Sequence, residues 1–531
     1  MNSSTTLVGA TAPTASPSAT VTSAGRRSWL ACAALLAVWF AATAWLRPLA
    51  IPDEGRYAGV AWEMLRSGDW LVPTLNALPF FHKPPLFYWI TAASMDLFGV
   101  GVWSARLASI LAAAAAATAL FEFVRRWASL RLARATVIVL ATMPLFYGGA
   151  QYANLDMLVA ACIAAAILLA AHAALSLEAG RPHRAALGGA FVAAACGVLA
   201  KGLIGAVLPA LVLIGWGLAT GRTRRLARLL LWAPGGHVFA AIAAPWFIAM
   251  QQRFPGFGHY FFVVQHLQRF TSVGFNNPQP LWFYPAVLLA TTLPWSPWLL
   301  TILSGRSWLR REHGDLRALM LVWLVVVTAF FSLPDSKLIG YILPALPALA
   351  FLVADALGAT RSRQRLKLAT CIVAATACVA IAAAEHFYQP KSLAALAARL
   401  QAGRAAGEPV LFLGNYYYDV PFYARLDTPV FVADPWAPAE LEKDSWRREL
   451  ADAERFAPAP PQHRLLGFDE LGSALCAAGS AWVVGPWPST DRTPWLAAQE
   501  PVYREGQVAL WRVARPTRPP APGAGACSND W

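Results

Sequence analysis

NLDMLVAACIAAAILLAAHAALSLEAGRPHR, residues 154–184, decides the fold. From Leu155 to Ser176 the run is apolar apart from Asp156, His172 and Ser176. That is long enough to cross a hydrocarbon layer ~30 Å thick as a helix of ~20 residues. It opens on an acid and closes on a short loop bearing Arg181 and Arg184. The same alternation extends in both directions. Apolar spans are expected near 28–48, 103–124, 132–150, 155–176, 184–199, 202–220, 228–250, 281–303, 316–333, 338–358 and 365–385. This predicts a polytopic α-helical membrane protein with about 11–13 transmembrane helices, the upper figure if two Ala-rich pairs divide further.

Every second connection is basic: Arg26/Arg27, Arg125/Arg126/Arg131/Arg134, Arg181/Arg184, Arg222/Arg224/Arg225/Arg228, Arg306/Arg310/Arg311/Arg317 and Arg361/Arg363/Arg365/Lys367. Short basic loops stay in the cytoplasm. The N-terminus is therefore expected inside and the C-terminal region outside. Asp53, Glu54, Lys83, Asp156, Lys201, Asp335 and Lys337 then share the outer side.

Composition agrees. The 531 residues are 57% apolar and 14% charged, against about 25% charged in soluble domains. A formal charge of +14 would suggest nucleic acid in a soluble chain, but nearly half of the 43 Lys and Arg residues lie in the inner loops. No nucleic-acid partner is expected. Cys32, Cys162, Cys196, Cys371 and Cys378 fall in apolar spans and read as small hydrophobes. Cys476 and Cys527 lie in the outer region, where a bridge between them is chemically open.

Residues 1–25 are Ser/Thr/Ala-rich and read as a disordered cytoplasmic lead. The run from Trp29 to Leu46 reads as a retained anchor rather than a cleaved signal. Residues 26–387 form the membrane domain, with long outer loops at 50–102 and 251–280. In the first loop, Tyr57, Val60, Ala61, Met64 and Leu65 recur at helical spacing, which predicts an amphipathic helix on the membrane surface. A second interfacial or re-entrant helix is expected over Pro85–Val100. Beyond Tyr388 apolar spans stop and short β-type runs appear at Pro409–Phe412, Pro429–Val432, Ala481–Val484 and Gln507–Val513. Helical stretches are read at Ser392–Ala402 and Glu440–Phe456. Residues 388–515 are expected to form a small outer α/β domain, and 516–531 a flexible tail.

Six clusters carry candidate chemistry. Asp53-Glu54-Gly55-Arg56-Tyr57 follows the first span; its acids suit a helix N-terminus or a site. Lys83, in Phe80-Phe81-His82-Lys83-Pro84-Pro85, is either a snorkelling lysine or a cation held rigidly to meet a phosphate. Asp156 and Lys201 stand at span ends. Arg269 sits in Gln265-His266-Leu267-Gln268-Arg269-Phe270. Asp335-Ser336-Lys337 precedes Gly340 and Tyr341. His82 and His266 leave a divalent metal open, without a reliable ligand spacing. Walker A, Rossmann, Gly-x-Ser-x-Gly and CxxC patterns do not occur.

Gathered at the outer border, Asp53, Arg56, Lys83, Lys201 and Arg269 would make a cavity with excess positive charge. Such a cavity suits a lipid-linked anionic headgroup, and a polyprenyl phosphate carrying a sugar fits. Breaking the sugar–phosphate bond concentrates charge on phosphate, where fixed cations act most strongly.

These ordered motifs, with Asn154-Leu155-Asp156, Lys201-Gly202 and the segment from Lys337 to Pro344, resemble those of the lipid A aminoarabinose transferases. That family belongs to the wider GT-C group with the protein mannosyltransferases. The resemblance covers about residues 28–385. It implies a GT-C fold and inverting transfer from an undecaprenyl-phosphate sugar, with 4-amino-4-deoxy-L-arabinose the leading donor. It further implies a lipid or glycan acceptor such as lipid A, and a monomer in the bacterial inner membrane with a periplasm-facing site. Asp53 and Asp156 would be catalytic or structural acids. Arg56, Tyr57, Lys83, Lys201, Arg269 and Tyr341 would grip the donor phosphate or line the cavity, supported by Glu54, His82, His266, Asp335 and Lys337. The family commonly has Glu where this chain has His82, which puts the donor sugar in doubt. Transfer of another sugar to a different glycan, lipid or protein, or lipid-linked sugar transport, are the competing expectations. The absence of a clear internal repeat disfavours transport.

Overall fold

The computed structural model describes residues 23–268, 277–300, 313–359, 363–387, 392–442, 445–457, 464–489 and 492–514. Among them, seven helices are long and apolar enough to cross a membrane: Val102–Trp127, Leu155–Glu178, Arg184–Lys201, Ala233–Arg253, Gly314–Ser332, Ile339–Gly358 and Gln364–Phe387. The pair Leu130–Ala141 and Pro144–Ala150, bent by 70°, makes an eighth if counted as one. Pro144 lacks an N–H and disfavours helical backbone at Met143, so the bend falls there.

The remaining expected spans differ in bounds from their apolar runs among the described residues. The first helix runs Ser23–Ala41, with its apolar part over Trp29–Ala41, and Ile204–Thr220 is apolar but short. The first ends early because Thr43 and Arg47 leave the helix to hydrogen-bond Gln151. Within the run near 281–303, the described residues hold a helix over Phe283–Thr291 and a single turn at Ser296–Trp298.

Alanine favours these helices and lets their backbones approach. A Cβ on Gly197 would lie 2.9 Å from Gly205 Cα, so Arg184–Lys201 and Ile204–Thr220 meet backbone to backbone. The Leu155–Glu178 helix is central and packs against Val102–Trp127, Arg184–Lys201 and Ile204–Thr220. At its far end Glu178 pairs with Arg222 and Arg225. The basic connection at Arg222 and Arg225 therefore lies at the end opposite Asp156.

The first outer loop holds helices Asp53–Ser67 and Leu86–Phe98, joined through a two-stranded ribbon, Thr74–Leu75 with Leu78–Pro79. The Asp53–Ser67 helix is not the one-sided amphipathic helix that its spacing suggested. It is buried on both sides, with Glu63 accepting from Thr74 Oγ1 and from the Asn76 and Ala77 amides.

Residues 394–514 build a six-stranded sheet in the order Leu465–Leu466, Phe431–Ala433, Val410–Leu413, Ser480–Pro486, Val508–Ala514, Tyr503–Glu505. The first four strands are parallel, and Val508–Ala514 runs antiparallel to both of its neighbours, Ser480–Pro486 and Tyr503–Glu505. Leu465–Leu466 and Tyr503–Glu505 are too short to have been read from alternation. A polar seam ties this unit to the first outer loop. Asn76 pairs with the Val430 backbone through both amide atoms, Arg464 and Arg66 donate to the carbonyls of Asn76 and Leu426, and Arg425 donates to that of Val100. Cys527 lies outside the described residues.

Candidate active site

Helix ends position the charged groups. Pro52 occupies the cap of the Asp53–Ser67 helix, and no side chain caps that end. Asp53 is therefore not a capping residue; it lines a cavity, with 36% of its side chain exposed. One turn on, Arg56 lies 3.5 Å from Asp53, with its guanidinium 4.8 Å from the Tyr418 ring centroid and 5.9 Å from that of Tyr57.

Glu54 turns the other way, into the protein. It is fully buried, ion-paired with Arg47 and, at 2.8 Å, with Arg106, and accepts the amides of Ala50 (2.9 Å) and Ala153 (2.7 Å). Burial alone would raise its carboxyl, but Arg106, Arg47 and the Ala153 amide hold it down, to about 2. This network brings the start of the Asp53 helix against the turn before Asp156.

Asn154 caps the Leu155–Glu178 helix by accepting the Asp156 amide at 2.9 Å. The Asp156 carboxylate is left to pair with Lys201 and to accept from Asn154 Nδ2 at 3.2 Å. The Lys201 ammonium sits 4.1 Å from the Tyr341 ring centroid. Two glycines make this arrangement possible. Gly202 has φ +97°, and a Cβ there would lie 2.1 Å from His266 Nε2; one on Gly340 would lie 2.5 Å from Asp156 Oδ2.

Asp53, Arg56, Tyr57, His82, Lys83, Asn154, Asp156, Lys201, Tyr341 and Glu449 line one polar cavity of about 80 Å³. A second cavity of about 130 Å³ shares Lys83, Lys201 and Tyr341 with it and continues along Ile204, Phe330, Phe331 and Pro334. A polar chamber thus opens into an apolar groove between span ends. A separate open cleft of about 680 Å³, around Asp434 and Phe468, lies on the sheet unit away from the spans.

The expected charge excess is not present among the described residues. Arg56, Lys83 and Lys201 face Asp53, Asp156 and Glu449. Glu449, from the helix Trp446–Glu454, lies 3.2 Å from Arg56 Nε and accepts from Tyr418 Oη at 2.7 Å. Burial raises the Asp53 carboxyl; Asp156 and Glu449 push the same way, while Arg56 and Lys201 oppose.

Other expected residues lie at the margins. His82 stacks on Phe80 (4.6 Å) and meets Tyr260 Oη at 3.0 Å; that hydroxyl also donates to Asp452 (3.2 Å). His266 lines the groove, with Nδ1 2.7 Å from the Phe261 carbonyl. Among the described residues no group of three or more His, Cys, Asp or Glu side chains is arranged to hold a metal, so the metal reading of His82 and His266 gains no support. Lys337 does not line the chamber. It is buried and donates to the Gln279 carbonyl at 2.6 Å, while Asp335 accepts the Gln279 amide through its backbone and its residue is exposed. Together they fasten the 277–280 segment to the next span. Arg269 lies outside the described residues.

Sequence reasoning missed Arg47, Arg106, Tyr260, Tyr418 and Glu449. Arg106 carried a legible signal, a guanidinium inside an apolar span, where charge persists only if paired. Glu449 carried none, being one acid in a charged surface helix.

Residues 82–248 match the family model described as dolichyl-phosphate-mannose-protein mannosyltransferase. The undecaprenyl phosphate-alpha-4-amino-4-deoxy-L-arabinose arabinosyl transferase of Erwinia tasmaniensis is 36% identical over 316 residues, 58% of this chain and 55% of that protein. Its namesake in Serratia proteamaculans is 34% identical over 352 residues, 63% and 61% of the two chains. The chain thus spans little more than half the length of the curated relatives it matches. The crystal structure of ArnT from Cupriavidus metallidurans bound to undecaprenyl phosphate aligns with a TM-score of 0.77 at 25% identity, over 93% of this chain and 98% of that one. The chain carries a GT-C fold, and in motif order and topology it resembles the lipid A aminoarabinose transferase-like family.

Proposed function

We propose that this protein is a bacterial inner-membrane glycosyltransferase acting at the periplasmic face. It transfers a sugar, foremost 4-amino-4-deoxy-L-arabinose, from undecaprenyl phosphate to an acceptor such as lipid A, and works as a monomer. The observation that carries this reading is one chamber. Residues from Asp53 to Tyr341, far apart in sequence, share a polar cavity that continues into an apolar groove. A lipid phosphate needs both, its headgroup among cations and its tail in the groove.

The chemistry follows from placement. The bond between the sugar's anomeric carbon and the phosphate oxygen breaks, and its electron pair stays on the phosphate. Arg56, Lys83 and Lys201 line the chamber where that charge grows. The acceptor oxygen bonds the anomeric carbon from the opposite side, giving inversion. An ionised phosphate acceptor surrenders no proton, and Asp53 then orients or stabilises. A hydroxyl acceptor gives its proton to a carboxylate, for which Asp53 is better suited than Asp156, already bound to Lys201.

His82 on the chamber wall favours a second reading, in which a different polyprenyl-linked sugar is moved to another glycan, lipid or protein. Transport is the weaker alternative, because the chamber sits at helix ends rather than at mid-span. Mass spectrometry of lipid A from cells with and without the gene tests the proposal. A mass gain matching a pentosamine is expected; an unchanged lipid A would refute lipid A as acceptor.

A further inference from the structure

Glu449 is an anion placed against the arginine that faces the proposed phosphate position. Its carboxylate lies 3.2 Å from Arg56 Nε, is held by Tyr418 Oη at 2.7 Å, and is 15% exposed on the chamber wall. Tyr418 also stacks beneath the Arg56 guanidinium. Gly55 lets this pair come close, since a Cβ there would lie 3.0 Å from the Asp419 amide and 3.1 Å from Tyr418. The sheet unit thereby delivers a fixed carboxylate to a cation of the membrane chamber.

The transfer raises the charge on the lipid phosphate. The donor is a phosphodiester with one negative charge. The departing lipid phosphate keeps the electron pair of the broken bond and leaves as a monoester with two negative charges, taking up a proton only at about pH 6 or below. Cations that stabilise the transition state therefore hold the product more firmly than the donor. A chamber of cations alone would become trapped with product.

We propose that Glu449 is a positioning residue that competes with the lipid phosphate for Arg56 and thereby promotes product release. This rests on the glycosyltransferase reading above. Before donor binding, Glu449 holds Arg56 in place beside Asp53. While phosphate is bound, Arg56 is shared between the two anions. After transfer, re-formation of the Arg56–Glu449 pair offsets the stronger hold on the product.

The test uses the full-length protein in detergent. Undecaprenyl phosphate alone is the binding probe, and transfer is followed in single-turnover and steady-state modes. Glu449→Gln is expected to bind undecaprenyl phosphate on the order of tenfold more tightly, the scale of removing one partly buried competing charge. Its steady-state rate is expected to fall more than its single-turnover rate, with a burst of product in the first turnover. Glu449→Asp, which restores the charge, should recover most of the release rate. Unchanged or weaker binding of undecaprenyl phosphate, or equal loss in both kinetic modes, would overturn the proposal. Should Glu449→Gln not fold, Tyr418→Phe keeps every charge, loosens the carboxylate and is read the same way. The binding arm needs neither sugar nor acceptor. A wrong donor or acceptor would silence transfer in the wild type while leaving the effect on undecaprenyl phosphate intact.

Discussion

At the residue scale, neighbours in sequence divide sharply in role. Asp53 faces the chamber, while Glu54 is buried between two guanidinium groups. Lys83→Ala should lower transfer by about a hundredfold or more, the range for removing one preorganised charge stabiliser, with the protein still inserted and folded. Transfer at the wild-type rate would remove Lys83 from the phosphate site. Asp53→Asn should be nearly as severe, since no cap is lost in compensation. Glu54→Gln should act through stability instead, costing about 3 kcal/mol or more by leaving buried Arg106 without its carboxylate and Arg47 with Glu385 alone. Because folding lowers the Glu54 carboxyl from the ordinary 4.5 to about 2, its contribution is complete above 4.5 and is lost as pH falls toward 2. Melting curves across that range should show the wild type losing stability and Glu54→Gln changing less.

At the scale of elements, the site is assembled by caps and glycines. Asn154 takes over the capping that Asp156 could have performed, and Gly340 gives the Asp156 carboxylate room. Gly340→Ala should displace that carboxylate and cut turnover at least tenfold without unfolding the spans, measurable as activity per folded protein. Asp419, at the turn leading into the helix Val420–Tyr423, accepts the Leu393 amide at 2.8 Å, and burial pushes its carboxyl up to about 7. A raised acid opposes folding as pH climbs from its ordinary 3.8 and does so fully above 7. Asp419→Asn should therefore flatten the dependence of melting temperature on pH over that interval. Helical period and propensity predicted the long spans correctly. They did not show that the Asp53–Ser67 helix is covered on its second face, because the partner covering that face arrives from the sheet unit.

At the scale of the whole molecule, the chamber stands at the end of the bundle away from Glu178, Arg222 and Arg225. A cysteine placed at position 201 should react with a membrane-impermeant reagent applied from the periplasmic side. Protection until the membrane is breached would invert the topology. Hydropathy and the alternation of basic loops by themselves determined that this is a multi-pass helical protein, because both follow from transfer energies that depend only on local composition. Sequence also drew attention to Asp53, Arg56, Lys83, Asp156 and Lys201, since ionisable groups at membrane borders are costly to keep. Only the tertiary structure decided which charges meet. It paired Lys201 with Asp156, buried Glu54 between Arg47 and Arg106, withdrew Lys337 to a loop carbonyl, and set Glu449 opposite Arg56. The physical reason is range. Helix formation is settled within a few turns of chain, whereas an ion pair depends on packing between segments that no local pattern encodes.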